Sequence, residues 1–187
     1  MTTFDKRTTR PANNNLYYIK TTKGGWNKCI QIQSDGRVLP NCVGYAWGRF
    51  MECQTNVHTC NLSRGNAENW YPNVMDGYQR GQFPKLGAVI CWHSTKSGGH
   101  VAIVEEIKSN GDIVTSNSAY NSTYFYMKTL KPPKYYMGSA YTFQGFIYNP
   151  TEFSPEPTPP PTPETKKKTN FKWVLYARKF RNRRKLT

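Results

Sequence analysis

The spacing of hydrophobic residues changes its period part-way along the chain. After Cys42, apolar side chains recur at intervals of three and four residues, as on one face of a helix. These positions are Val43, Ala46, Trp47 and Phe50. From residue 86 onward, short apolar runs are separated by turns that contain glycine or asparagine, as in strands. A helix followed by an antiparallel meander predicts an α+β fold in which the helix packs on the sheet.

The helix is predicted to begin at Cys42 and to end near Glu52 or Cys53. A helical turn is expected over residues 66–70. Strands are predicted at 16–19, 88–92, 100–107, 113–120, 124–127 and 143–148. The turn Asn110-Gly111-Asp112 predicts a hairpin between two of these strands.

Composition divides the chain into four parts. Residues 1–15 are polar and predict a flexible N-terminal arm. Residues 16–150 carry the periodic segments and predict one folded domain. Residues 151–165 are rich in proline and predict an extended linker, because such a segment cannot build a core. Residues 166–187 form a basic, aromatic tail.

The overall composition is that of a globular domain. Of the 187 residues, 37% are hydrophobic, which is enough to form a core. No run of 18 apolar residues is present, which argues against an ordinary membrane span. The N-terminal residues lack the apolar segment of a secretory signal, so we expect synthesis in the cytoplasm. Five cysteines without a Cys-x-x-Cys pair favour free thiols, and we predict no metal site and no cofactor.

The net charge of +15 is concentrated in the tail. Residues 166–187 contain six Lys, four Arg and no acidic residue, whereas the rest of the chain contains 16 basic and 11 acidic residues. Aromatic residues lie between these cations, which favours binding to an anionic cell-wall polymer or a membrane surface. A disordered, solubilising extension is the alternative. We do not favour nucleic acid as a partner, because the body of the chain is only mildly basic.

Cys42 is the first candidate for chemistry, because it follows Pro40-Asn41 at the start of the predicted helix. Unpaired N–H groups and the positive end of the helix dipole favour a thiolate there, so we expect a lowered pKa. The same N–H groups suit a developing oxyanion. Asn41 is either an oxyanion donor or only the helix N-cap. The alternative for Cys42 is a buried cysteine that packs as a small hydrophobic residue.

His100 is the candidate base, since it opens a predicted strand directly after Gly98-Gly99. Asn117 lies on the next strand. Counting outward from the Asn110-Gly111 turn places Asn117 nearer to the turn than His100, so a contact between them requires a twist or a bulge. Such a partner would fix the tautomer and the orientation of the imidazole. Together the three residue types predict a thiol nucleophile with its base.

Three segments carry a more specific pattern. They are Asn-Cys-Val-Gly-Tyr-Ala-Trp-Gly-Arg at 41–49, Pro-Lys-Leu-Gly-Ala-Val-Ile-Cys-Trp at 84–92 and Gly-His-Val-Ala-Ile-Val-Glu at 99–105. Together they resemble the CHAP family (cysteine, histidine-dependent amidohydrolases/peptidases), which includes lysins of bacteriophages, over about residues 16–150. The resemblance implies a papain-like fold and hydrolysis of amide bonds in bacterial peptidoglycan.

The resemblance also implies roles for individual residues. By position, Cys42 matches the nucleophile and His100 matches the base. Asn117 matches the third position, where many members have an acidic residue, and Asn121 is the alternative. Trp92, at the mouth of a strand, either flanks the substrate cleft or packs in the core. Many relatives bind calcium near the cysteine, but the sequence before Cys42 offers only the isolated Asp35, so no ion is predicted.

We therefore expect a monomeric peptidoglycan hydrolase, either an N-acetylmuramoyl-L-alanine amidase or a peptidoglycan endopeptidase. As a phage endolysin or virion-associated lysin, it would be made in the host cytoplasm, be released by a holin or carried on the virion, and act at the cell wall. Two alternatives stay open. One is a general papain-like thiol protease, and the other is a non-catalytic protein that binds the envelope or nucleic acid, with a structural Cys42.

Overall fold

The computed structural model describes residues 2–12, 15–17, 20–21, 30–32, 38–39, 41–55, 58–120 and 122–154. One α-helix and nine strands lie within these residues. The helix α1 spans Cys42–Glu52, which confirms the predicted bounds. The strands are β1 (Lys20–Thr21), β2 (Ile30–Ile32), β3 (Val38–Leu39), β4 (Arg80–Gly81), β5 (Val89–Ser94), β6 (His100–Ile107), β7 (Ile113–Asn117), β8 (Tyr126–Leu130) and β9 (Tyr141–Ile147).

The main sheet has six strands in the order β4-β9-β5-β6-β7-β8, and every neighbouring pair is antiparallel. A second, three-stranded sheet contains β1, β2 and β3, in which β1 and β2 are parallel. The helix α1 packs on the main sheet through β6 and β7. The predicted α+β fold, in which the helix that carries the cysteine packs on an antiparallel sheet, is confirmed.

Most predicted strands are present, with shifts at their ends. The strand predicted at 88–92 continues to Ser94, and the strand predicted at 113–120 ends at Asn117. A 3-10 helix at Ala67–Asn69 confirms the helical turn expected over 66–70. The sequence did not predict β4, because its two residues become a strand only by pairing with β9, some 60 residues away.

Some predictions concern residues that the structure does not describe. Leu16 and Tyr17 form a bend rather than the start of a strand, and Tyr18 and Ile19 lie outside the described residues. Most of the linker, the whole tail at 166–187 and Asn121 also lie outside them. The domain boundaries therefore stay predictions.

Hydrophobic side chains cover both faces of the main sheet. Val89 and Cys91 of β5 face α1, whereas Ile90 and Trp92 face the second core cluster on the other side. This alternation follows from the pleat of a strand that is buried on both faces. Cys91 is fully buried, as expected for a packing residue.

The N-terminal segment, expected to be a flexible arm, makes long-range contacts. Arg7 forms an ion pair with Glu52 at the end of α1, and Lys6 Nζ lies 2.6 Å from Glu106 Oε2 on β6. The ring of Phe4 packs edge-on against Phe153 at a centroid distance of 4.8 Å. A polar sequence does not predict these contacts, because their partners are distant in the chain. No helix among the described residues is both long enough and apolar enough to cross a membrane.

Candidate active site

Cys42 is the first residue of α1, and Asn41 is its N-cap. The backbone of Asn41 is extended, and its side-chain Oδ1 accepts a hydrogen bond from the Val43 N–H at 2.9 Å. This bond satisfies one of the donors that a helix start leaves unpaired. Asn41 is therefore a helix cap, while an oxyanion role for its amide stays a prediction.

The sulfur of Cys42 lies in a buried position, with 7% of the residue exposed. Burial raises the pKa of the thiol to about 11, although backbone N–H groups of Val101, Val43 and Cys42 itself act in the opposite direction. The prediction of a lowered pKa is therefore wrong. The helix start does favour the thiolate, but removal from water disfavours the charged form more strongly.

His100 is the first residue of β6, and 6% of it is exposed. Its ring lies between Trp92 and Tyr141, at centroid distances of 5.7 and 6.2 Å. Burial lowers the pKa of His100 to about 4, partly offset by a hydrogen bond with Asn117. The imidazole is consequently neutral near pH 7 and able to accept a proton.

Asn117 is the last residue of β7, and its Oδ1 lies 3.1 Å from His100 Nε2. Its Nδ2 donates to the carbonyl oxygen and to Oγ1 of Thr115, at 3.0 Å each. These acceptors fix the orientation of the amide, so that its oxygen must face the histidine. Because that oxygen can only accept a hydrogen bond, His100 carries its hydrogen on Nε2, and Nδ1 is the nitrogen with the lone pair.

A β-bulge brings His100 and Asn117 together. The register between β6 and β7 shifts between Val104 and Glu106, so that Glu105 is an extra residue with no pairing partner on β7. Beyond the bulge Ile103 pairs with Ser116, and one further step places Asn117 opposite Ala102. His100 and Ala102 lie on the same face of β6, which makes the contact diagonal across the two strands.

Comparison with known protein families gives one match. The CHAP domain family matches residues 32–119, which include all three of these candidate residues. Residues 32–119 therefore resemble a CHAP domain.

Two proteins that are similar to this chain come from Staphylococcus aureus. The "Probable autolysin LDP" of strain NCTC 8325 / PS 47 is 30% identical over 98 residues, which are 51% of this chain and 33% of that protein. A crystal structure of an N-acetylmuramoyl-L-alanine amidase is 24% identical with a TM-score of 0.41, and the match covers 56% of this chain and 30% of the other. The chain thus spans about a third of the length of these relatives.

The fold brings His100 and Asn117 into contact, but Cys42 is held differently. Among the described residues, no hydrogen bond joins Cys42 to His100. The sulfur instead faces the backbone N–H of Val101, the residue that follows the histidine in β6. Cys42 therefore lies near His100, because its sulfur contacts the backbone of the next residue in β6.

Trp92 does not line a cleft. It is fully buried, its indole N–H donates to the carbonyl oxygen of Tyr135 at 2.9 Å, and it pairs across the strands with His100. Of the two predicted alternatives, the structure thus favours core packing. The sequence position of Trp92 next to a glycine-rich loop does not show that it is buried, because the core cluster that covers the indole comes from other parts of the chain.

The sequence analysis missed a buried ion pair beside this site. Arg49 Nε and Nη2 donate to the two carboxylate oxygens of Glu105 at 2.9 Å each. Burial alone would lower the pKa of Arg49, but the hydrogen bond and the charges around it hold that pKa above its ordinary value. The available signal is a charged residue inside an otherwise apolar periodic run, both at Arg49 in α1 and at Glu105 in β6.

Proposed function

We propose that this chain is a peptidoglycan hydrolase that cleaves an amide bond with Cys42 as the nucleophile, His100 as the base and Asn117 as the residue that orients His100. One observation carries the proposal: a buried, neutral histidine is held by an asparagine beside the helix start that bears Cys42, within residues that resemble a CHAP domain. The similarity to a probable autolysin supports peptidoglycan as the substrate.

The first step is transfer of a proton from Cys42 to His100. Near pH 7 both groups are neutral, because burial raises the pKa of the thiol to about 11 and lowers that of the imidazole to about 4. Asn117 holds the hydrogen on Nε2, so Nδ1 is the nitrogen that accepts the proton. Cys42 and His100 must come closer to each other for this transfer. Catalytic hydrogen bonds of this kind often form only when substrate is bound.

The resulting thiolate attacks the carbonyl carbon of the amide and forms a tetrahedral intermediate. The N–H of Cys42, at the start of α1, is placed to stabilise the oxyanion by hydrogen bonding and by the helix dipole. The protonated His100 then donates its proton to the leaving amine. Water, activated by the neutral His100, hydrolyses the acyl-enzyme and restores the thiol.

The test is the loss of turbidity of purified bacterial cell walls. We expect Cys42→Ala and His100→Ala to abolish lysis, while Asn117→Ala reduces it. A matched control is Cys91→Ala, which removes another buried thiol, on β5, that has no role in the chemistry. Undiminished lysis by the first two variants would contradict the catalytic proposal and favour an envelope-binding protein.

The bond that is cut is a finer part of the proposal. Mass analysis of the released fragments distinguishes two activities. An N-acetylmuramoyl-L-alanine amidase cleaves the lactyl–alanine bond, whereas an endopeptidase cleaves a bond within the peptides. Hydrolysis of casein with no release from walls would instead indicate a general thiol protease.

A phage lysin is a further, separate part of the proposal, supported by the sequence resemblance of residues 16–150. Expression in a bacterial host with and without a holin tests it. Lysis that requires the holin supports an endolysin, whereas detection of the chain in purified virions supports a virion-associated lysin. Absence from virions together with lysis that needs no holin contradicts both.

The tail at 166–187 is proposed to hold the enzyme at an anionic cell-wall polymer or membrane surface, because its ten basic residues are interspersed with aromatic ones. Truncation after Pro150 is expected to weaken wall binding and to remove its dependence on salt. Unchanged salt-dependent binding of the truncated chain would contradict the proposal.

A further inference from the structure

We propose that Glu105 is a positioning residue, which fixes the β-bulge that places Asn117 on the same side of the sheet as His100, and that Arg49 holds it there. This inference rests on the proposed function, in which Asn117 orients His100. Neither Glu105 nor Arg49 touches the reacting atoms, so both act through the asparagine.

The register of β6 and β7 shows why the bulge matters. Glu106 pairs with Val114 on one side of the bulge, and Val104 pairs with Thr115 on the other. Without the extra residue, the register of the first pair would continue and would place Asn117 opposite Ile103. Ile103 belongs to the cluster that faces α1, whereas His100 faces the other side. A slip of one residue therefore moves Asn117 to the wrong face.

The side chain of the bulged residue is buried and accepts several hydrogen bonds. Glu105 is 1% exposed and accepts four hydrogen bonds. Two come from Arg49 at 2.9 Å each, and one comes from the backbone N–H of Arg7 at 2.9 Å. The fourth comes from Ser116 Oγ at 2.6 Å. If this carboxylate left the bulge, several buried donors would lose their hydrogen-bond acceptor, which costs free energy.

Two of these bonds connect the bulge directly to the candidate site. Ser116 immediately precedes Asn117 on β7, so its bond to Glu105 fixes the strand next to the asparagine. Arg49 lies on α1, seven residues after Cys42, so its bond fixes the helix relative to β6. The Glu105 carboxylate thus joins the three elements that carry Cys42, His100 and Asn117.

The next residue along β6 provides a matched control. Glu106 is also a carboxylate on the same strand and also forms an ion pair, but its partner Lys6 is on the surface and both side chains are about 30% exposed (35% and 27%). It takes part in the ordinary ladder opposite Val114. Glu106→Gln should therefore change neither the bulge nor the rate of hydrolysis.

A double-mutant cycle of the full chain tests the inference. We expect Glu105→Gln to lower kcat for wall hydrolysis by about tenfold with little change in KM. In the Asn117→Ala background, the same substitution should lower kcat by less, because the asparagine is gone and only the bond between α1 and β6 is still affected. An equal loss in both backgrounds would overturn the proposal, because it would show that Glu105 has only a structural role.

NMR of the ring nitrogens gives a second readout that does not depend on activity. The wild type and Glu106→Gln should show His100 protonated on Nε2, whereas Glu105→Gln should show a mixture of the two tautomers. A wild-type tautomer in Glu105→Gln would overturn the proposal. If Glu105→Gln does not fold, Ser116→Ala, which removes only one bond to Glu105, is judged by the same two criteria.

The two experiments also separate this inference from the proposed function. A wild-type chain that hydrolyses no wall preparation would contradict the proposed function. The tautomer of His100 in the wild type, Glu105→Gln and Glu106→Gln would still support or overturn the positioning role of Glu105.

Discussion

The two ends of α1 bury polar groups in opposite ways. Near its C-terminal end, Arg49 is 3% exposed and stays charged, because it faces Glu105 and Glu52 across ion pairs of 2.9 and 2.8 Å. At its N-terminal end, Cys42 and His100 are almost as deeply buried, but burial dominates both pKa values and keeps both groups neutral.

The difference follows from what each end has to do. A buried charge is tolerated when an opposite charge and hydrogen bonds surround it, and such a pair holds a fixed geometry. A nucleophile and its base must change their charge during the reaction, so a permanent partner charge would trap one state. A neutral pair with one orienting amide can exchange a proton without that penalty. In this chain, the paired end holds the elements in place and the neutral end carries the proposed chemistry.

The largest effect is expected from breaking the paired end. Glu105→Ala leaves Arg49 buried with only Glu52 as a counter-charge, and should lower the free energy of unfolding by about 4 kcal/mol. Urea denaturation at pH 7 measures this value. Glu106→Ala removes a partly exposed ion pair, so it should lower the free energy of unfolding by less than about 1 kcal/mol. Similar losses in the two variants would show that the buried pair contributes no more than a surface one.

The second prediction concerns the neutral end and its dependence on pH. The pKa of His100 is about 4 in the folded protein against an ordinary value of 6.5, so the unfolded chain binds a proton more readily. Stability is therefore fully present above pH 6.5 and is lost as the pH falls from 6.5 to 4, by about 3 kcal/mol.

Urea denaturation of the wild type and of His100→Gln at several pH values isolates this contribution. The variant lacks the titrating group, so its stability should fall less steeply over the same interval. Parallel curves for the two proteins would mean that the histidine is not held neutral by burial.

The sequence predicts one end of α1 better than the other. The apolar spacing after Cys42 correctly predicted the helix, and the hairpin turn correctly placed β6 beside β7. The positions of His100 and Asn117 along those strands indicated that a contact would need a twist or a bulge. The position of the bulge could not be predicted, because it depends on the contact between Glu105 and Arg49, which are 56 residues apart in the sequence. The sign of the Cys42 pKa shift was missed for the same reason, since burial is a property of the packed whole.

The third prediction tests how closely the loop before His100 must pack. Gly99 has a φ of +82°, and an added Cβ would lie 2.5 Å from the backbone nitrogen of Glu68 and 2.6 Å from the carbonyl oxygen of Trp92. Because both atoms belong to the backbone, Gly99→Ala should displace the start of β6 and cost more than about 2 kcal/mol. Wall hydrolysis should fall as well, since His100 is the next residue.

Gly77 is the matched control for this substitution. Its φ of +77° is similar, but an added Cβ would meet nothing within 4 Å. Gly77→Ala should therefore show only the strain of the left-handed backbone, about 1 kcal/mol, and full activity. Thermal denaturation and the turbidity assay measure both quantities. A Gly99→Ala protein as active as Gly77→Ala would mean that the neutral end tolerates a shift of its histidine.

The smallest effect is expected from the helix cap, and it decides between the two roles of Asn41. Its Oδ1 accepts from the Val43 N–H at 2.9 Å, so Asn41→Ala should lower stability by about 1 kcal/mol. Asn73→Ala removes a similar cap, with a longer bond of 3.3 Å, from the three-residue 3-10 helix Val74–Asp76 and should lower stability less. If Asn41 is only a cap, kcat should stay within about tenfold of the wild type, because the Cys42 N–H still stabilises the oxyanion. A loss of about a hundredfold or more, at unchanged KM and with the protein still folded, would instead make the amide of Asn41 a second oxyanion donor. The neutral end of α1 would then contain one more polar group whose interaction is made only in the transition state, in contrast to the permanently paired end.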